Sequence, residues 1–202
     1  GCSALCIWLK GNDMVEKHFI TANELLQDSY HLGHLILDSG FTPNYLVGVW
    51  RGGAPVGIAV QELLEYHGVS TDHIAIRTSS YDGIDKRRDN VQVHGLHYII
   101  ENVNAEDNLL IIDDVFDSGN SVQTIQDTIR NLSRRNTPSM KVATVYYKPS
   151  KRKVDTTPDF YVHETEKWLV FPHELEGLSE QEIRENKPFA LRGQRFHGLK
   201  SA

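Results

Sequence analysis

The stretch LLIIDDVFDSGNSVQTI, residues 109–125, constrains this chain more than any other. Four aliphatic residues lead into two adjacent carboxylates, Asp113 and Asp114. A third, Asp117, follows, and then Ser118-Gly119-Asn120-Ser121. An unbroken aliphatic run bounded by turn residues is the pattern of a strand buried on both faces. Ending such a strand in uncompensated charge carries a desolvation cost, so the carboxylates need a partner. The small-residue turn can aim several backbone N–H groups inward, and the helix beginning near VQTI adds its positive end. Together they suit a single phosphate. The G-K-[ST] ending of a Walker loop and the G-x-G-x-x-G of a dinucleotide fingerprint are both missing. Adjacent carboxylates accept hydrogen bonds from vicinal hydroxyls or hold Mg²⁺, which takes oxygen ligands. The stretch therefore suggests a ribose carrying a 5′-phosphate. A plainer role, with Asp117 or Ser118 capping a helix, accounts for one residue and leaves Asp113 and Asp114 unexplained.

Strands alternate with helices along the rest of the chain. TANE, residues 21–24, is a capping box ahead of apolar residues at helical spacing, Leu25, Leu26, Leu32, Leu35 and Ile36, with Gly40 as a stop. YLVGVW (45–50) is a short apolar strand and RGGAP a turn. Pro55 opens a helix that stops at Gly68. HIAIRT (73–78) and KVATVYY (141–147) are further strands, a helix is expected over 122–134, and LSEQEIREN suits a last polar helix. Residues 79–93, with DKRRD at their centre, have no period and are expected to form one long exposed loop. The alternation predicts an α/β fold with a parallel sheet covered on both faces. Ligands of such sheets bind at the carboxyl ends of the strands, here after Trp50, after Thr78 and after Ile112.

The 202 residues suffice for one well-cored domain. A formal net charge of -6 argues against general nucleic-acid binding, so positive charge for an anionic substrate must come from local groups or a metal. No apolar run has the length to span a bilayer. Two cysteines, Cys2 and Cys6, exclude a disulfide framework and lack zinc partners. Both precede Met14. Residues 1–13 are expected to be a disordered leader or expression remnant outside a single domain at 14–202. They lack the basic flank of a signal peptide, and a cytoplasmic protein is expected.

Two other loops fit an anionic substrate at the same sheet edge. In VWRGGAP, Gly52 and Gly53 permit close backbone approach to a ligand, and Arg51 adds a fixed charge suited to a diphosphate. In SSYDGIDKRRDN, Lys86, Arg87 and Arg88 are either a solvated charge run or part of a lid that excludes water.

IIDDVFDSGNS resembles the phosphoribosyl-diphosphate signature of type I phosphoribosyltransferases. RTSSYDG is similar to the serine-tyrosine flexible loop of the bacterial purine (hypoxanthine and xanthine-guanine) enzymes, and YYKPS, PDFYV and WLVFPHE look like their base-binding segments. The resemblance implies a Rossmann-like core with a small hood, formed by C-terminal and N-terminal segments, and a flexible lid loop. It implies Mg²⁺-dependent transfer of a phosphoribosyl group from phosphoribosyl diphosphate to a 6-oxopurine, in a homodimer or higher homo-oligomer.

By motif, Asp113 and Asp114 would meet the ribose hydroxyls and the metal, and Asp117 would be the general base near purine N7. Ser118, Gly119, Asn120 and Ser121 would hold the 5′-phosphate, Arg51 and Gly52 the diphosphate in a turn that often has a cis peptide, and Ser80 and Tyr81 would belong to the lid. Lys148 would bind the exocyclic O6, Trp168 stack on the base, Leu169 offer backbone contacts, and Glu174 lie near C2 or a second metal. Taken alone, Trp168 reads more readily as a core residue and Lys148 as a surface lysine, and His173 beside Glu174 is incidental. Glu174 replaces a usual aspartate, which leaves hypoxanthine, guanine and xanthine as alternative bases. The same fold also serves non-catalytic regulators that sense phosphoribosyl diphosphate or nucleotides. The presence of Asp117, Lys148 and Trp168 together, with an acidic charge balance, favours the enzyme.

Overall fold

A computed structural model describes residues 16–80 and 91–191. The expectations for residues 1–13, for Tyr81 and for the basic run Lys86, Arg87 and Arg88 fall outside the described residues.

The chain runs β1 (Lys17–Phe19), α1 (Ala22–Asp38), β2 (Tyr45–Trp50), α2 (Gly53–Tyr66), β3 (Asp72–Ser80), β4 (Val91–His94) and α3 (His97–Asn102). It continues β5 (Asn108–Phe116), α4 (Asn120–Ser133), β6 (Ser139–Tyr147), β7 (Phe160–Glu164), β8 (Trp168–Val170) and α5 (Glu180–Asn186). Six strands form one sheet in the order β4-β3-β2-β5-β6-β7. All neighbours in it are parallel except β3 and β4. The α/β expectation holds, and the pattern behind it is visible in β5. Leu109, Leu110, Ile111 and Ile112 are all fully buried. Burying each contributes about 1.5–3 kcal/mol, and consecutive apolar residues are needed because helices cover both faces. Leu32 and Ile36 of α1 with Val56 and Leu64 of α2 fill one side; Ile99 of α3 with Ile125 and Ile129 of α4 fill the other.

Three boundaries differ from expectation in ways that shape the site. β5 runs past LLIIDD, the stretch expected as strand, to Phe116. Its pairing with β2 stops at Gly48↔Ile112, but its pairing with β6 continues to Phe116↔Tyr147. Asp113 and Asp114 thus sit inside a strand that has lost one neighbour, and the Arg51–Gly53 turn occupies the vacated flank. α4 begins at Asn120, two residues before Val122, because Gly119 turns the chain at φ 81°. Part of the segment 79–93, expected to be loop, is β4, antiparallel to β3 from Arg77↔His94 to Ser80↔Val91.

β1 has no counterpart among the expected elements. It pairs in parallel with β8, Lys17 opposite Trp168, beside the main sheet. α5 joins them: Ser179 and Glu182 form a capping box, and Glu182 also pairs with Lys17 at 2.8 Å. Among the described residues, no helix is long and apolar enough to cross a membrane.

Candidate active site

At the carboxyl end of β5 the chain forms a cup of about 90 Å³ lined by Asp113, Asp117, Ser118, Gly119, Ser121 and Val122, among others. Gly119, at the N-cap of α4, has no side chain to cap the helix, so the positive end of α4 lies beside the cup. The Ser118 hydroxyl accepts the Asn120 N–H at 3.3 Å, and the Ser121 hydroxyl lies 3.5 Å from that of Thr78 on β3. Gly119 is required twice over. Its φ is positive, and a Cβ there would lie 2.5 Å from Val154 and 2.7 Å from the Phe116 ring.

The paired carboxylates form the next wall. Asp114 is buried and Asp113 half-buried. Backbone groups support them: the Asp114 N–H donates to Asp113 at 2.9 Å, the Val115 N–H to Asp114 at 2.8 Å. Burial nevertheless dominates. It pushes Asp113 well above the usual carboxylate range, helped by the charge of Asp114. It raises Asp114 to about 6, with the Glu174 charge adding to it. Gly52 and Gly53 press against this pair. A Cβ on Gly52 would meet the Asp114 carboxylate at 1.8 Å, and one on Gly53 the Ile112 carbonyl oxygen at 2.3 Å. The Trp50–Arg51 peptide before them is cis.

A cleft of about 710 Å³ opens beside the cup, and Asp117, Ser118, Lys148, Trp168, Leu169 and Glu174 all line it. Lys148, at the end of β6, is nearly buried (12% exposed), and its ammonium stands 3.7 Å from the Asp117 carboxylate. Its backbone N–H donates to Phe116 O at 2.9 Å, tying it to the end of β5. Trp168 is no core residue: it is 53% exposed, with the Lys17 ammonium 5.9 Å from its ring centre. Leu169 turns its side chain into the core. Glu174 accepts the Phe171 N–H at 3.0 Å.

Not every residue singled out from the sequence joins this cleft. Arg51 is exposed and lines an adjoining apolar groove with Trp50, Pro172 and His173. Ser80 ends β3. His173 has a closer relation to the site than its sequence neighbourhood implies. Its ring stacks on Phe171, and its Nε2 lies 4.0 Å from Asp114 Oδ2. Burial lowers its pKa, so at neutral pH it is poorly suited to neutralise Asp114. Its place just after an apolar strand is the one local signal of this contact. Among the described residues, no three or more His, Cys, Asp or Glu side chains are grouped to hold a metal ion. A hard cation bound through one or two carboxylates and its substrate's oxygens does not need such a cage.

The site thus combines a small cup at the start of α4, a buried pair of carboxylates and an adjoining cleft that holds a lysine and an exposed indole. The phosphoribosyl transferase domain matches residues 21–180. The chain belongs to this family of enzymes. The cup and the cleft both lie within the matched residues. A hypoxanthine-guanine phosphoribosyltransferase of Streptococcus agalactiae is 25% identical over 176 residues, covering 87% of this chain and 91% of that enzyme. The crystal structure of a purine phosphoribosyltransferase from Pyrococcus horikoshii superposes with a TM-score of 0.65 at 25% identity, covering 81% of this chain and 98% of that one. A Neisseria gonorrhoeae protein crystallised with ppGpp has the same fold, with a TM-score of 0.67 at 18% identity, covering 88% of this chain and 99% of that one.

Proposed function

We propose that this phosphoribosyltransferase moves the 5-phosphoribosyl group of phosphoribosyl diphosphate onto a 6-oxopurine, releasing diphosphate and a purine nucleoside 5′-monophosphate. One observation carries the assignment: a nearly buried lysine ammonium, Lys148, lies 3.7 Å from the carboxylate Asp117 in a cleft that continues into the phosphate cup. A 6-oxopurine offers an acceptor, O6, to the lysine and an N7 proton to the carboxylate. Adenine offers an amino group instead, and two donors would then face each other.

In this assignment Ser118, Gly119, Asn120 and Ser121 hold the 5′-phosphate, and Asp113 and Asp114 orient the ribose through its vicinal hydroxyls. Arg51 and Gly52 serve the diphosphate, Trp168 stacks on the base, and the Leu169 backbone and Glu174 border its far edge. N9 of the base attacks the anomeric carbon, the bond to diphosphate breaks, and the N7 proton passes to Asp117. The raised, uncompensated carboxyls Asp113 and Asp114 fit Mg²⁺ shared with substrate oxygens. When bound, the ion supplies positive charge where the leaving diphosphate gathers negative charge.

Product formation from phosphoribosyl diphosphate and Mg²⁺ with hypoxanthine, guanine, xanthine and adenine in turn tests the proposal. Turnover with one or more of the first three, none with adenine and none in excess chelator is expected. Adenine as the preferred base would remove Lys148 from its role.

A further inference from the structure

Ser150 follows Lys148 by two residues, and Glu166 precedes Trp168 by two. These two residues meet. The Glu166 carboxylate accepts the Ser150 backbone N–H at 3.1 Å and a second, short hydrogen bond from the Ser150 hydroxyl. Glu166 lines the same cleft as Lys148 and Trp168.

The location of this contact makes it informative. The pairing of β6 with β7 ends at Tyr147↔Glu164, and one more backbone bond, Thr165 N–H to Tyr147 O at 3.0 Å, closes the ladder. Beyond that point the lysine turn and the tryptophan turn diverge. The lysine turn is otherwise anchored toward the phosphate end, through Lys148 N–H to Phe116 O and Lys153 N–H to Ser118 O, both at 2.9 Å. The tryptophan turn is anchored on the opposite side, through the pairing of β8 with β1. Among the described residues, Ser150 and Glu166 form the hydrogen-bonded link between the two past the end of the ladder. Exposed hydrogen bonds of this kind add little to overall stability.

We infer that Glu166 is a positioning residue: through Ser150 it sets the spacing between the Lys148 ammonium and the Trp168 ring, and so the fit of the base between them. It acts through its two hydrogen bonds to Ser150. The inference rests on the base slot proposed above.

Steady-state kinetics of the full chain, with each substrate varied in turn against saturating amounts of the other, tests it. The base is whichever one the wild-type enzyme accepts. Glu166→Ala is expected to raise KM for the base about tenfold, since small displacements at a reacting centre are costly, while KM for phosphoribosyl diphosphate stays within about twofold. Ser150→Ala keeps the backbone donor and should have a smaller effect in the same direction. Glu166→Gln keeps one acceptor and should restore most of the base affinity. The Ser150→Ala, Glu166→Ala double variant should be no worse than Glu166→Ala alone.

An unchanged KM for the base in Glu166→Ala overturns the brace, as does an equal rise in both KM values or additive effects in the double variant. A loss of melting temperature that accompanies equal rises marks a merely structural role. The substrate assignment fails separately, in the wild type, if turnover is confined to bases without O6. The same KM comparison on the accepted base then still decides whether Glu166 sets the slot.

Discussion

At one end of the cleft the chain supplies backbone; at the other it supplies side chains. The cup proposed for the phosphate lies at the start of α4, fixed by a glycine that tolerates no Cβ. The slot proposed for the base is lined by Lys148 from the end of β6, Trp168 from β8 and Glu174 from the turn after it, with Lys148 tied to Phe116 and Glu174 to Phe171 by hydrogen bonds. The parts of the cup are neighbours in sequence. The slot depends on contacts between segments far apart in sequence, so single surface residues can tune it. The two ends should therefore respond differently to mutation: the cup steeply, the slot by degrees and according to the base.

Asp117 lies where the two ends meet, and its replacement should have the largest effect. Asp117→Asn keeps the shape but removes the proton acceptor, and should lower kcat by about 10²–10⁴-fold with little change in the affinity for phosphoribosyl diphosphate. Weakened binding with preserved kcat would take Asp117 out of the base role.

Gly119→Ala attacks the cup alone. Strain at φ 81° and the contacts with Val154 and Phe116 should destabilise the fold by about 1–3 kcal/mol. They should also lower kcat/KM for phosphoribosyl diphosphate about a hundredfold. Chemical denaturation and kinetics on the same preparation separate the two effects.

Asp114→Asn should do opposite things to stability and function. A carboxyl raised in the folded state favours folding while protonated, below the ordinary range near 4, and that advantage disappears as pH rises through about 6. The substrate-free protein is therefore penalised at pH 8 relative to acid. Asp114→Asn should be more stable than wild type at pH 8 by about 1–3 kcal/mol, with the gap closing toward pH 4, although transfer is lost. A variant that melts below the wild type at pH 8 would show that the charge is already compensated.

The smallest effect should be at the slot. Trp168→Leu keeps apolar surface and loses the aromatic face, worth about 0.5–1.5 kcal/mol. KM for the base should rise by a few-fold to about tenfold, and KM for phosphoribosyl diphosphate should not follow.

The same contrast governs how much of the molecule is legible in its sequence. The cup is legible because LLIIDDVFDSGNS carries strand, carboxylates, turn and helix start in one run, so local rules suffice. Even there the strand runs past LLIIDD to Phe116: β5 outlasts β2 because β6 continues to support it, and a sequence does not state which partner ends first. The slot is legible only by likeness. Nothing local distinguishes Trp168 in WLVF from a core residue, or Lys148 from a surface lysine; their exposure and burial are set by β1 and by the end of β5. β1 itself, KHF, has no strand pattern and forms through pairing with a segment about 150 residues away. β4 is hidden because only four residues, VQVH, emerge from a polar stretch. Glu166 and Ser150 read as ordinary solvent-facing residues, and only their hydrogen bonds to each other set them apart.

The most direct test of the account is a crystal structure with a purine nucleoside 5′-monophosphate bound. The phosphate should rest on the N–H groups of Ser118, Gly119, Asn120 and Ser121. The ring should lie against Trp168 with O6 within hydrogen-bonding distance of the Lys148 ammonium. A nucleotide bound with its phosphate outside that turn, or with its ring away from Lys148 and Trp168, would contradict it.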